Sequence, residues 1–172
     1  MKFPLSWLED FMDVDKDVQT YVDTLNTIGL EVEGVDIPGK EISGVITVKV
    51  EATQPHPNAD KLKLVDIDTG SEKKQIVCGA PNVRVGMKVI VALVGARIAD
   101  NYKIKKGKIR GVESLGMLCA LDEIGIDEKI NPMKHEDGIF EMPADAKVGD
   151  SIFSYLDMDD EIIELSITPN RA

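Results

Sequence analysis

Val45-Ile46-Thr47-Val48-Lys49-Val50 sets Val45, Thr47 and Lys49 on one side of an extended chain and Ile46, Val48 and Val50 on the other. A strand turns successive side chains to opposite faces, so this alternation reads as a β-strand. The same period recurs in Leu62-Lys63-Leu64-Val65-Asp66-Ile67-Asp68, in Gln75-Ile76-Val77-Cys78, in Met87-Lys88-Val89-Ile90-Val91-Ala92-Leu93-Val94 and in Tyr102-Lys103-Ile104-Lys105. Gly, Pro or Asn bounds each run, which is the punctuation of short strands. Five such strands predict a mainly β domain in the form of a closed or nearly closed barrel, because closure removes exposed edges. Glu113 to Ile126 and Gly138 to Ile152 add further apolar pieces to it.

Outward from this region the pattern changes. Ser6-Trp7-Leu8-Glu9 has capping-box spacing and predicts a short helix from about Trp7 to Met12. Asp17 is placed to cap a second helix, whose Val18, Tyr21, Val22, Leu25 and Ile28 recur at spacings of three and four before Gly29 ends it. Leu30 to Ile37 alternates apolar and acidic residues as a half-buried strand does, and Pro38-Gly39 breaks the chain. At the other end, Asp159 to Ala172 reads as one more strand entering a turn. The expected organisation is a discontinuous, incomplete α+β domain, 1–38 with 152–172, into which a β domain of residues 39–151 is inserted.

Composition narrows the function classes. The chain has 172 residues, 43% hydrophobic and 30% charged, enough for one domain and part of another. No apolar run approaches the roughly 20 residues of a membrane span, and the start lacks the apolar stretch of a secretory signal. A cytoplasmic location with no membrane partner is expected. Cys78 and Cys119 sit in apolar contexts and read as buried thiols rather than a disulfide framework. His56 and His135 lie far apart with no Cys or His at ligand spacing, so no metal site is expected. No phosphate-cradling loop, nucleophile turn or zinc-binding helix motif is present. Asp122-Glu123 and Asp127-Glu128 read as solvated acidic pairs, and His56-Pro57-Asn58-Ala59-Asp60 as a rigid loop with Asn58 or Asp60 capping its turn. No catalytic residue is assigned.

The net charge of −11 argues against a nucleic-acid partner, because phosphate affinity comes largely from Lys and Arg. The distribution reverses that reading. Positions 40–110 carry 14 bases against 7 acids, whereas 1–39 carry 2 against 9, 111–150 carry 3 against 10, and 151–172 carry 1 against 5. A partner meets the local field rather than the sum. The sharpest concentration is Tyr102-Lys103-Ile104-Lys105-Lys106-Gly107-Lys108-Ile109-Arg110, five cations with no acid among them. On an extended chain Lys103 and Lys105 share one face, and Lys106, Lys108 and Arg110 another, so that phosphates could be tracked along one edge. Lys61, Lys63 and Arg97 extend the candidate surface if the barrel gathers them. The competing reading is an edge strand protected from aggregation by its lysines. Only Tyr102 and Phe140 are aromatic between 39 and 150, too few for a row of stacked bases, so shape-based contact with phosphates and 2′-hydroxyls of a folded RNA fits better.

Three stretches, in this order, resemble a known family: His56-Pro57-Asn58-Ala59-Asp60-Lys61-Leu62, Val77-Cys78-Gly79-Ala80-Pro81-Asn82-Val83, and Gly111-Val112-Glu113-Ser114-Leu115-Gly116-Met117-Leu118-Cys119-Ala120. They are similar to the OB-fold tRNA-binding domain of synthetase-associated proteins. Phe3-Pro4-Leu5-Ser6-Trp7-Leu8, Thr27-Ile28-Gly29-Leu30-Glu31-Val32-Glu33 and Ile167-Thr168-Pro169-Asn170-Arg171-Ala172 resemble the N-terminal part of the β subunit of bacterial phenylalanyl-tRNA synthetase.

The resemblance implies a five-stranded OB-fold barrel acting as an accessory tRNA-binding module. The parent would be an α2β2 ligase that attaches phenylalanine to tRNA-Phe with ATP and magnesium. Its chemistry would belong to a catalytic α subunit, leaving no catalytic or magnesium residue and no cofactor here, with RNA rather than DNA as partner. The same resemblance turns Lys105, Lys106, Lys108, Arg110 and Ser114 toward RNA. Two other readings stand beside it: a structural module for subunit assembly with little RNA contact, and a free-standing RNA chaperone.

Overall fold

In a computed structural model of the chain, the structure describes residues 1–15, 17–126 and 138–167. Asp127-Glu128, His135 and the closing Thr168 to Ala172 lie outside the described residues. The chain divides into two compact units, one of residues 1–40 with 157–172 and one of 41–156.

The larger unit is built on antiparallel strands β3 (Ser43–His56), β4 (Ala59–Asp68), β5 (Lys73–Cys78), β6 (Lys88–Ile98), β7 (Tyr102–Lys103) and β10 (Gly116–Leu118). The order is β10-β6-β3-β4-β5, with β7 also paired to β6. Val48, Val50, Val65, Ile67, Ile76, Val89 and Val91 are fully buried in one cluster with Leu118 and Ile139, each contributing on the order of 1.5–3 kcal/mol by leaving water. Val45 and Thr47 on the opposite face of β3 are buried too. The segment after Gly138 covers them: the Thr47 amide donates to the Asp150 carbonyl at 2.9 Å, and Ile46 bridges to Ser151.

The ladder does not run round a full circle, since β5 and β10 share no pairing register. The seam is stitched individually. Leu115 donates its amide to the Gln75 carbonyl at 3.0 Å, the Gln75 amide group donates to the Glu113 carbonyl at 3.2 Å, and Ser114 Oγ accepts the Val77 amide at 3.1 Å.

The expected strand from Tyr102 to Lys105 is only two residues long. Ile104 is buried and holds the chain to β6 through bonds to Gly95 and Ala96, and the consecutive Lys105-Lys106 then breaks the alternation. β8 (Gly107–Ile109) folds back on β9 (Val112–Ser114) as a separate hairpin. Its two central residues, Arg110 at φ 49 and Gly111 at φ 90, both adopt the left-handed region that a type I′ hairpin turn requires.

In the smaller unit β11 (Ile162–Leu165) pairs antiparallel with β1 (Lys2–Pro4) on one side and β2 (Val32–Asp36) on the other. Helix α1 (Val18–Thr27) is capped by the Asp17 carboxylate, which accepts the Thr20 amide. Val18, Tyr21 and Leu25 pack with Leu5, Ile163 and Leu165, but Ile28 is exposed beyond the helix end. The first helix is a 3-10 turn over Leu5–Asp10 without a capping box. Ser6 Oγ instead donates to the Asp160 carboxylate at 2.5 Å, a stronger charge-assisted partner than an amide.

Candidate nucleic-acid interface

The turn between β3 and β4 anchors the tip of the β8–β9 hairpin. His56 is buried. Its Nδ1 accepts the Asn58 amide at 3.0 Å, and its Nε2 lies 3.0 Å from the Ile109 carbonyl. A carbonyl can only accept, so the proton sits on Nε2 and the ring is neutral. Asn58 Nδ2 adds a bond to the Arg110 carbonyl at 3.1 Å. The tip of one hairpin is thereby fastened to the turn of another, and Lys61, just past the tip, shares its end of the unit with Lys108 and Arg110.

Arg97 and Lys103 are directly opposite in the β6–β7 ladder, and both are exposed, as are Lys105, Lys106, Lys108 and Arg110. Arg97 is steadied by the Asn101 side chain. Lys106 pairs with Glu113 at 2.9 Å, and Glu113 stands opposite Lys108 in the β8–β9 register, so one acid dilutes this group. Most other bases of the unit are engaged: Lys73 with Glu51 at 2.6 Å, Lys74 with Glu72 at 2.7 Å, Arg84 with Glu141 at 2.7 Å, and Lys88 with the Ala144 and Ala146 carbonyls. Among the described residues of this unit, Lys61, Lys103, Lys105, Lys108 and Arg110 have neither an ion pair nor a side-chain hydrogen bond; Lys49 and Lys147 share that condition on other strands and segments.

Two residues expected at the surface are placed otherwise. Lys63 is half-buried, its ammonium donating to the Pro81 and Val83 carbonyls at 3.3 Å each. Ser114 is 4% exposed, its hydroxyl accepting from Val77 and donating to the Gly116 carbonyl. The Ser114 hydroxyl is committed inside the protein and does not line the candidate surface, whereas Lys63 spends its ammonium on two backbone carbonyls at a partly exposed position. Nor do Lys103 and Lys105 share a strand face, or Lys106, Lys108 and Arg110 another, since β7 ends at Lys103 and of the latter three only Lys108 lies on β8. Tyr102 is 62% exposed beside Lys103, whereas Phe140 is 2% exposed.

The clamp residues His56 and Asn58 carry no charge and sit in a polar turn, so the sequence marks them only as loop formers; their partners lie more than fifty positions away. Both thiols are buried. Burial, aided by the nearby Glu123 charge, pushes Cys119 up to about 12, and burial also raises Cys78. Among the described residues no group of three His, Cys, Asp or Glu could hold a metal ion, and no helix is long and apolar enough to cross a membrane.

Residues 45–151 match the family described as "Putative tRNA binding domain". The chain is 74% identical over 149 residues to the phenylalanine–tRNA ligase beta subunit of Lactococcus lactis, covering 86% of this chain and 19% of that protein. It is 55% identical over 167 residues to the same subunit of Streptococcus mutans, covering 96% and 21%. It therefore spans about a fifth of the length of the curated relatives it matches. Among solved structures, the C-terminal domain of Plasmodium vivax p43 aligns at a TM-score of 0.45 and 21% identity, covering 66% of this chain and 59% of that one. A MetRS-related protein of Pyrococcus horikoshii aligns at 0.42 and 19%, covering 80% and 96%. With the family match spanning more than half of its length and these identities beside it, the chain belongs to the tRNA-binding domain family as represented in phenylalanine–tRNA ligase beta subunits.

Proposed function

We propose that residues 39–151 form an accessory tRNA-binding module of a phenylalanine–tRNA ligase β subunit, and that 1–38 with 152–172 form part of the domain into which it is inserted. The observation that carries the reading is that Lys108 and Arg110 are held out by a hairpin turn fastened to the β3–β4 tip, just before Lys61, while Lys103 and Lys105 are exposed earlier in the same segment, none of the five having an ion pair among the described residues. Such a surface grips phosphates and 2′-hydroxyls by shape; among the described residues of 39–151, Tyr102 alone offers a base an exposed aromatic ring, so sequence discrimination is low. At the level of the parent enzyme, the proposal extends to tRNA-Phe as substrate, ATP and magnesium as cofactors, a catalytic α subunit in an α2β2 assembly, and the cytoplasm as location. The chain itself holds and orients RNA and performs no bond chemistry.

Titration of the chain with tRNA at two salt concentrations tests this. Five phosphate contacts predict a slope of log K against log salt of about −4. Lys105, Lys106 and Lys108 changed together to Glu should abolish most of the affinity. No binding by the unmutated chain at low salt would exclude the reading. A second reading, a structural module for subunit assembly, is favoured by the internal commitment of Lys63 and by the Lys106–Glu113 pair; affinity for the α subunit without affinity for tRNA would establish it.

A further inference from the structure

The resemblance to tRNA-binding domains leaves the His56-Pro57-Asn58 turn without a role, and the hydrogen bonds give it one. We infer that Asn58 and His56 are positioning residues for the RNA surface: they fix the Ile109-Arg110-Gly111 turn and thereby the direction in which Arg110 and Lys108 are presented. The inference rests on the tRNA-binding reading above.

The β8–β9 hairpin is three residues long on each side and exposed along β8. A short two-stranded hairpin is marginal by itself in water, and Arg110 stands at φ 49, in a region an ordinary side chain adopts only under constraint. What over-determines it comes from the β3–β4 tip. The neutral His56 ring donates to the Ile109 carbonyl, the residue before the turn, and Asn58 donates to the carbonyl of Arg110 itself. Both bonds end on backbone oxygens, so they set the path of the chain whatever side chain stands at 110. Asn58 Nδ2 also lies 3.8 Å from where a Cβ on Gly111 would stand, close enough to pack against the turn. Without the clamp the cations remain, but their directions must be ordered when RNA binds, and that entropy is subtracted from affinity.

The test is a double-mutant cycle on the full chain with Asn58→Ala and Arg110→Ala, read by tRNA affinity and by backbone NMR relaxation at residues 110–112. Asn58 is exposed, so its truncation leaves no core cavity. Loss of a bond worth about 1 kcal/mol predicts about fivefold weaker binding for Asn58→Ala, an unchanged salt slope, and lowered order parameters at Arg110 and Gly111. In the Arg110→Ala background, where the carbonyl persists but the guanidinium is gone, Asn58→Ala should cost less than twofold. Additive losses, or unchanged order parameters in Asn58→Ala, overturn the positioning role. Should the fold respond to the alanine, Asn58→Gln, which keeps the donor, should restore most of the order and affinity; failure to restore either also overturns it. Absence of tRNA binding by the unmutated chain defeats the functional reading instead, and the relaxation data still decide whether the clamp exists.

Discussion

Ser114 Oγ accepts the amide of Val77 at 3.1 Å, joining the third of the family-like stretches to the second across the seam that the strand ladder leaves open. Ser114→Ala removes the acceptor and strands a buried amide, which costs about 1–3 kcal/mol. Urea unfolding should show that loss, while tRNA affinity of the folded variant stays within twofold. An affinity loss without a stability loss would return Ser114 to the surface role that its motif suggests.

Asn82 plays a matching part at the other side of the same stretch. Its side-chain amide donates to the Ile139 carbonyl at 2.8 Å and accepts the Ile139 amide at 3.1 Å, replacing a missing strand partner for a residue that is 4% exposed. Gly138 makes room for it, since a Cβ there would stand 2.1 Å from Asn82 Oδ1 and its φ is 149. Asn82→Ala is expected to lower stability by about 2 kcal/mol. Gly138→Ala should cost at least as much, and less when Asn82 is already Ala, because the clash is then relieved while the backbone strain remains. Thermal unfolding of the two single variants and the double variant measures this coupling.

The β-rich core was legible because period-two alternation in β3, β4 and β6 is a local property of the chain, and Val48, Val65 and Val89 are buried as their positions demand. The basic segment was legible in charge but not in shape. The path of the chain through Lys108 and Arg110 depends on the turn at Arg110-Gly111, and that turn is held by bonds to His56 and Asn58 that no local pattern announces. Ser114 lies inside for the same reason: a hydroxyl reads as surface until the Val77 amide that it accepts is brought near by a distant segment. The capping box at Ser6 failed because Asp160, far along the chain, offered a charged partner.

Cys119 yields a prediction with a definite sign. Burial holds its thiol protonated up to about pH 12 in the folded chain, whereas an unfolded thiol ionises near the ordinary value of about 8.5. The raised group contributes stability that is fully present below the unfolded value and is lost as pH rises through the folded one, because over that window the unfolded state binds fewer protons. Chemical denaturation should therefore show stability falling between about pH 9 and pH 12, with a shallower fall in Cys119→Ala after allowance for its lower starting stability. At pH 8, a thiol-specific reagent should modify neither Cys78 nor Cys119 until denaturant is added; rapid modification of the native chain would contradict their burial.

Glu113 offers the most direct test of whether the local field governs RNA contact. Its carboxylate pairs with Lys106 and stands opposite Lys108 in the ladder, so phosphate must compete with it for one cation and approach against its charge for the other. The pair is largely exposed, which limits its contribution to stability to about 0–1 kcal/mol. The backbone bond from Gln75 ends on the Glu113 carbonyl rather than on its side chain, so Glu113→Gln keeps the seam. The substitution should leave unfolding nearly unchanged while tightening tRNA binding severalfold at low salt and steepening the salt slope by about one, the signature of one more cation available to phosphate. A variant that binds as the unmutated chain does, with the same slope, would mean that RNA does not pass over the β8–β9 hairpin.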